Sequence, residues 1–278
     1  MVAMTAAGES ELRQLEFKLF QELMYAHTGV RLGDAKIRLV QDRLCKLLSS
    51  LGLASFKQYY DLILKPERTS DLKECLNALT TNETFFFRHE EHWEFISNVL
   101  VPEWKKAHPK GSVFRVWSAA ASIGAEAYSA AVILHEILPD GDGYDFEIEA
   151  TDINQNVLEH AKRAAYDAYA VKKVDQSKLK QYFVHDAANK QYRLSPAITS
   201  LVRFHRHNLI EPSQGTSFDL VFLRNVLIYF DEASKTKVIN HIASRMRRGA
   251  HLLLGGAESL TSRKELFTQV KPTIYRKI

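Results

Sequence analysis

The chain is poor in cysteine, with two in 278 residues, Cys45 and Cys75. Both sit inside helical patterns and form no metal-ligand spacing, which excludes a disulfide scaffold; they are expected to be reduced and buried. No apolar run reaches the roughly 18 residues that a membrane-crossing helix needs. The opening MVAMTAAGES has no basic segment followed by a sustained apolar one, so no secretory signal is expected and the expected location is the cytoplasm. Internal repeats and low-complexity segments are absent. Neither sign of charge dominates: 37 Lys and Arg against 33 Asp and Glu leave a net +4, too small an excess to argue for nucleic acid. What is present, 46% apolar and 25% charged residues, is the composition of a globular enzyme with ample core.

The rhythm of the chain changes once. From Glu11 to about Lys106 it reads as helices joined by short turns. A first helix is expected to start at Ser10 and stop near Gly29; a second is expected to start at Asp34 and to place Ile37, Val40, Leu44, Leu47 and Leu51 on one face. SFKQYYDLILK halts before Pro66, and SDLKECLNALTTN follows with Ser70 as its expected cap. After HPKGS, short β-rich runs alternate with helices: VFRVWSA, DFEIEATDI, FDLVFLRNVLIYF and GAHLLLGG. Such alternation indicates an α/β fold with a mostly parallel sheet covered on both faces. Between Tyr182 and Asn208 lies a stretch with period-two patches and no long helix. It is expected to form a small inserted antiparallel β-subdomain, with His205 and His207 on its surface.

Glycine is scarce where a nucleotide-binding loop would want it. SAAASIGAEAYS, between the first strand and its helix, holds only Gly124. Ligands of open parallel sheets bind at the carboxyl ends of the strands, and three such ends carry candidate residues: Glu126 in the first turn of the helix, Asp152 ending the second strand, and Arg224 with Asn225 ending another. A carboxylate such as Asp152 suits a ribose diol. Glu126 would repel a pyrophosphate at a helix N-terminus and would attract an ammonium group, as in the methionyl tail of S-adenosylmethionine, which has no phosphate. Each residue also has a plainer reading: Asp152 as a helix cap, Glu126 as a partner of its helix dipole, Arg224 and Asn225 as turn residues. HEEH, residues 89–92, lacks the i, i+4 histidine pair of a zinc protease helix, and no metal site is expected.

ALTTNETFFFRHEEHW, residues 78–93, taken alone suggests a buried hinge between domains. Followed by RVWSAAASIGAEAYS, ATDIN, NLIE and FDLVFLRNVLIYFD, in that order, it closely resembles the chemotaxis receptor methyltransferases, the CheR family, over nearly the whole chain. The resemblance implies an all-α N-terminal domain (residues 1–80), a linker that contributes to the cofactor site (81–110), and a Rossmann-like methyltransferase domain (111–278) with its β-subdomain at about 182–207. It implies methyl transfer from S-adenosylmethionine to glutamate side chains on the cytoplasmic helices of chemoreceptors, leaving S-adenosylhomocysteine and a methyl ester. By match of motif, Asn82, Thr84 and Arg88 line the cofactor site, Gly124 allows a close backbone approach, Glu126 takes the methionyl ammonium, Asp152 the ribose, and Asn208 with Leu209 the adenine. Arg224 and Asn225 complete the pocket, Arg88 orients a carboxylate, and Tyr229 lies near the transferring methyl. Lys36, Arg43 and Lys46, to one side of the second helix, are the implied docking residues for the acidic receptor bundle, with a solvated basic edge as the plainer reading.

The chain departs from the family's pattern in places. Where the usual loop reads like STGEEPYS, this one has SIGAEAYS: Ile123 replaces a small polar residue, Ala125 a glutamate and Ala127 a proline, while Glu126 survives. GGAES stands where a serine commonly precedes the glutamate. In the β-subdomain, HDAANKQ has no glycine, so no tethering to a receptor C-terminal pentapeptide is expected. The departures leave a rival reading, a methyltransferase-like scaffold with weak or no turnover. A nicotinamide-dependent oxidoreductase is disfavoured by Glu126, and a nucleic-acid methyltransferase by weak basic and aromatic interleaving.

Overall fold

The computed structural model describes residues 11–260 and 264–278. They form two compact units, one ending at Thr81 and including Tyr229–Ser234, the other comprising Asn82–Ile228 and Lys235–Ile278.

The first unit is helical: α1 (Gln14–Thr28), a 3-10 turn (Asp34–Lys36), α2 (Ile37–Ser50), α3 (Phe56–Ile63), a second 3-10 turn (Pro66–Arg68) and α4 (Thr69–Leu79). Gly29 ends α1 at φ 71°, its N–H donating to the Tyr25 carbonyl, a left-handed cap that glycine adopts without strain. The start expected at Ser10 lies outside the described residues. Two other caps differ from expectation. Asp34 opens the 3-10 turn instead of capping α2, and accepts a hydrogen bond from Gln21 Nε2 at 3.0 Å; Ser70 lies inside α4. Val40, Leu44 and Leu48 of α2 are buried, whereas Leu47 is only partly covered and Leu51, just past its end, is exposed. Phe17, Phe20, Leu44, Phe56, Tyr59 and Cys75 fill the core of this unit. Cys45 is only half-buried, unlike Cys75. Val30 bridges Phe230, which draws residues 229–234 into this unit.

The second unit begins at Asn82, so residues 82–110 are not a linker but part of the α/β body. They contain α5 (Glu90–Phe95), a π turn (Ile96–Leu100) and α6 (Val101–Ala107). The wide turn precedes Pro102, which has no N–H to donate. Trp93, Phe95, Ile96, Leu100, Val101 and Trp104 all join the main core. Then follow β1 (Val113–Ala119), α7 (Ala125–Ile137), β2 (Asp145–Asp152), α8 (Gln155–Arg163), β3 (Ala165–Tyr166), α9 (Gln176–Tyr182), β4 (Phe183–Asp186), β5 (Gln191–Leu194), α10 (Pro196–Thr199), β6 (Val202–Arg206) and β7 (Phe218–Leu223). A 3-10 turn (Leu227–Tyr229), α11 (Glu232–Ser244), β8 (Met246–Leu254), β9 (Phe267–Lys271) and β10 (Ile274–Lys277) complete the chain.

The seven-stranded sheet has the order β6-β2-β1-β7-β8-β10-β9. The strands from β6 to β8 are parallel, and β10 pairs antiparallel with both β8 and β9. Every residue of β7 is buried, as a central parallel strand covered on both faces requires. The chain leaves β1 towards β2 on one side and later returns to β7 on the other. This reversal opens a crevice at the carboxyl ends of those strands.

The inserted subdomain differs in extent from the expected 182–207. Its three-stranded antiparallel sheet is β3-β5-β4 and ends at Leu194. The alternating run VRFHR instead forms β6, the edge of the main sheet, parallel to β2. His205 therefore faces Glu149 on β2, with Nε2 to Oε1 at 3.2 Å, and the His207 ring lies tilted against Trp117, centroids 6.0 Å apart. The β4–β5 turn dispenses with glycine: Lys190 takes φ 52°, and Asp186 accepts from the Asn189 backbone at 3.2 Å.

Candidate active site at the carboxyl ends of the sheet

The loop after β1 is tightly wound. Ala120, Ser122 and Gly124 all have positive φ. At Gly124 no other residue fits: a Cβ there would lie 2.8 Å from Ala161 Cβ and 3.0 Å from the Phe204 ring. Four of the five N–H groups from Ala120 to Gly124 are spent within the protein. Ala120 and Ala121 donate to the Thr151 carbonyl, Gly124 to Ala121, and Ser122 to Asp152 Oδ2 at 2.9 Å. A phosphate-binding loop needs such donors free and turned to the ligand. This loop spends them on joining β1 to β2.

Glu126 lies in the first turn of α7 with its carboxylate buried. It accepts from Ser118 Oγ at 2.7 Å and pairs with Arg224 Nη1 at 3.3 Å. Burial pushes its carboxyl up, and this outweighs the opposing pull of the Arg224 charge and the Ser118 hydroxyl. Burial also lowers the Arg224 guanidinium, against the support of Glu126. Arg224 donates through Nη2 to the Arg88 carbonyl, and its Nε is buried without a partner. A second cation beside Glu126 would offset the desolvation of its carboxylate.

Asp152 ends β2. Its Oδ2 receives the Ser122 N–H and its Oδ1 the Asn154 N–H at 2.9 Å, while Asn154 caps α8. The plainer alternative for Asp152, the cap of α8, is thus filled by Asn154. Burial raises the Asp152 carboxyl, and the backbone donors oppose it. The carboxylate keeps acceptor capacity for a further donor. His207 donates its backbone N–H to the Asp152 carbonyl, which brings Asn208 and Leu209, both buried, beside the same strand end.

The segment 82–88 closes another side. Asn82 accepts from Ser122 Oγ at 2.8 Å, Phe87 donates its N–H to Ser129 Oγ at 2.9 Å, and Thr84 is half-buried. Phe86 is fully buried against Tyr166 and Phe183. Phe87 and His89, on either side of Arg88, have φ of 53° and 62°, so the backbone turns sharply around the arginine whose carbonyl Arg224 holds.

Asn225 also takes a left-handed conformation, φ 58°. Glu258 sustains it, a residue that motif reasoning noted only for its neighbours. The Glu258 carboxylate accepts the N–H groups of Asn225, Val226, Leu227 and Gly255 at 2.6 to 2.8 Å. A Cβ on Gly255 would lie 2.6 Å from Asn225 Nδ2. The remaining signal was local and faint, a glutamate four residues after the end of an apolar strand. Ser118 was missed likewise, because a serine in a strand has no distinctive pattern.

Asn82, Thr84, Arg88, Gly124, Glu126, Asp152, Asn208, Leu209, Arg224 and Asn225 all belong to the second unit. Tyr229 folds with the first, where Lys36 Nζ lies 4.7 Å from its ring centre. Of the three expected docking residues, Lys46 is exposed. Arg43 is not free: Nη1 donates to the Ala78 and Thr80 carbonyls at 3.2 and 2.7 Å, capping the end of α4. Among the described residues no group of three His, Cys, Asp or Glu could hold a metal, and no helix is long and apolar enough to cross a membrane.

Sheet order, an acidic end to β2 and a connecting loop that places a carboxylate, Glu126, at the helix start together define a Rossmann-like methyltransferase domain that binds S-adenosylmethionine. The chain belongs to the CheR methyltransferase family. The profile of its S-adenosylmethionine-binding domain matches residues 82–276, and that of its all-alpha domain residues 15–80. The chain is 35% identical over 259 residues to a probable chemotaxis protein methyltransferase of Rhizobium etli, covering 91% of this chain and 96% of that one. It is 34% identical to chemotaxis protein methyltransferase 1 of Vibrio cholerae (92% and 93% covered). With the chemotaxis protein methyltransferase of Escherichia coli it shares 30% identity (95% and 91%).

Proposed function

We propose that this methyltransferase transfers the methyl group of S-adenosylmethionine to glutamate side chains of chemoreceptor cytoplasmic helices, forming methyl esters for sensory adaptation. The observation that carries the reading is the full-length match to chemotaxis protein methyltransferases, joined to a site that keeps a buried carboxylate, Glu126, at a helix start. A match of this extent to methyltransferases, with Glu126 retained despite Ile123, Ala125 and Ala127, gives no support to the scaffold alternative.

S-adenosylmethionine supplies, when bound, a methyl group already activated on sulfonium. The remaining work falls to the protein. Glu126 receives the methionyl ammonium, with Arg224 and Ser118 holding its carboxylate in place. Asp152, already fixed by two backbone N–H groups, accepts from the ribose hydroxyls, and Asn208 and Leu209 flank the adenine. Asn82, Thr84 and Asn225 close the pocket. Arg88 orients the acceptor carboxylate. That acceptor is ionised at neutral pH, so no general base is needed. Holding acceptor and donor in line can contribute about 7 to 11 kcal/mol. Lys36 and Lys46 offer positive charge to acidic receptor helices, while Arg43 serves α4. The glycine-free β4–β5 turn argues for action without a pentapeptide tether.

The test is incubation with methyl-labelled S-adenosylmethionine and membranes bearing chemoreceptors, followed by base. Release of the incorporated label as methanol is expected, because a carboxyl ester hydrolyses to it. Label stable to base, or no label in receptor, overturns the proposal.

A further inference from the structure

Lys172 stands out among the charged side chains outside the buried site. It lies on the turn after β3, and its ammonium sits 3.6 Å from the centre of the Tyr169 ring and 4.2 Å from that of Phe85. Arg88 occupies the same Phe85 ring, with Cζ 5.6 Å from the ring centre. Two cations thus share one aromatic ring, and neither has a carboxylate within ion-pair distance among the described residues. The Glu83 carboxylate is engaged instead by the Tyr169 hydroxyl, and its carbonyl accepts from Arg88 Nη1 at 3.4 Å.

The arrangement is well anchored. Ala170 receives the Phe86 N–H at 2.9 Å, and Lys172 donates its own N–H to the Tyr169 carbonyl at 3.3 Å. Asp167 Oδ1 receives the Ala170 N–H at 2.8 Å, and the Tyr169 ring stands edge-on to Phe85. A lysine held over two rings has already lost much of the side-chain freedom that a mobile surface lysine would lose on binding. Tyr169 and Lys172 are nonetheless exposed, and Arg88 connects them inward, since its carbonyl holds Arg224 and Arg224 holds Glu126. Two like charges near one ring repel each other, and an anion placed between them is attracted by both.

We propose that Lys172 is a specificity-determining residue of the acceptor site: with Arg88 it receives carboxylates of the acidic protein helix that is methylated, while Tyr169 and Phe85 hold its ammonium in place. This inference rests on the proposed glutamate acceptor. It assigns Lys172 to recognition of the protein substrate and not of the cofactor.

The test uses the full chain and receptor-bearing membranes, with initial rates measured against both substrates for Lys172→Glu, Lys172→Met and Lys172→Arg. Charge reversal at a rim contact is expected to raise the receptor KM about tenfold, with a smaller rise for Lys172→Met. The KM for S-adenosylmethionine and the calorimetric affinity for S-adenosylhomocysteine are expected to stay unchanged. Lys172→Arg should restore most of the receptor affinity, and the gap between wild type and Lys172→Glu should narrow at high salt. An unchanged receptor KM in Lys172→Glu overturns the inference, as does a parallel loss of cofactor affinity. Failure of the wild-type protein to form base-labile methyl groups is a separate outcome and overturns the proposed acceptor itself.

Discussion

Replacing Glu258 by glutamine tests whether this carboxylate holds the end of β7 in shape. The side chain keeps its size, but one of its two acceptor oxygens becomes an NH2 donor. In the native structure Oε1 receives Val226 and Leu227, and Oε2 receives Asn225 and Gly255. Whichever way the amide is turned, two of those N–H groups meet a donor instead of an acceptor. A buried polar group left without its partner costs about 1 to 3 kcal/mol, so Glu258→Gln is expected to lose about 2 to 6 kcal/mol. Against a typical domain stability of about 5 to 15 kcal/mol, that is a large share. The assay is urea denaturation followed by tryptophan fluorescence. All three tryptophans, Trp93, Trp104 and Trp117, lie buried in the second unit, so the signal follows that unit alone. A lower midpoint at unchanged slope is expected. A loss under about 1 kcal/mol would refute the claim that the four hydrogen bonds sustain the Asn225 turn.

Three further outcomes follow from other parts of the site. Glu126→Gln removes the charge facing the ammonium and is expected to weaken S-adenosylhomocysteine binding by roughly tenfold to a hundredfold, the range of a hydrogen bond to a charged group; unchanged calorimetric affinity removes Glu126 from that role. Gly124→Ala forces a Cβ to within 2.8 Å of Ala161 Cβ at φ 83° and should cost about 2 to 4 kcal/mol from overpacking and left-handed strain combined, read by the same urea titration. Burial drives His92 down to about 3 and His251 down to about 4, so between those values and the ordinary 6.5 the unfolded chain binds protons that the folded one refuses. Stability is therefore expected to fall as pH drops from 6.5 towards 4, by up to about 1.4 kcal/mol per pH unit for each histidine. A urea midpoint independent of pH over that range would contradict this.

Much of the fold could be read from local pattern. VFRVWSA and DFEIEATDI became β1 and β2 close to their expected bounds, and GAHLLLGG the second half of β8, which starts at Met246, because short β-rich runs bounded by turn residues are a local signal. The chemistry of the loop was legible for the same kind of reason: an acidic residue at a helix start is a local feature of the sequence that disfavours a phosphate there. Harder to read were segments whose role depends on a distant partner. VRFHR alternates as any half-exposed strand does, and nothing within it says whether it completes the small sheet or edges the large one. Pairing with Ile148 through Asp152 decided that. The helix from Glu90 to Ala107 looked like its helical predecessors, yet Trp93, Phe95 and Trp104 bury their rings in the α/β core.

By itself, then, the sequence determined the elements, their order and the chemical character of the strand ends, since periodicity, turn residues and the sign of a charge are local properties. Tertiary structure alone decided which groups complete one another: Glu258 reaching back 33 residues to Asn225, Arg224 placed between Glu126 and the Arg88 carbonyl, and Arg43 spent on the end of α4. Hydrogen bonds and ion pairs are satisfied by whatever the fold brings within about 3 Å. No spacing along a chain encodes that distance until the sheet and its loops are closed.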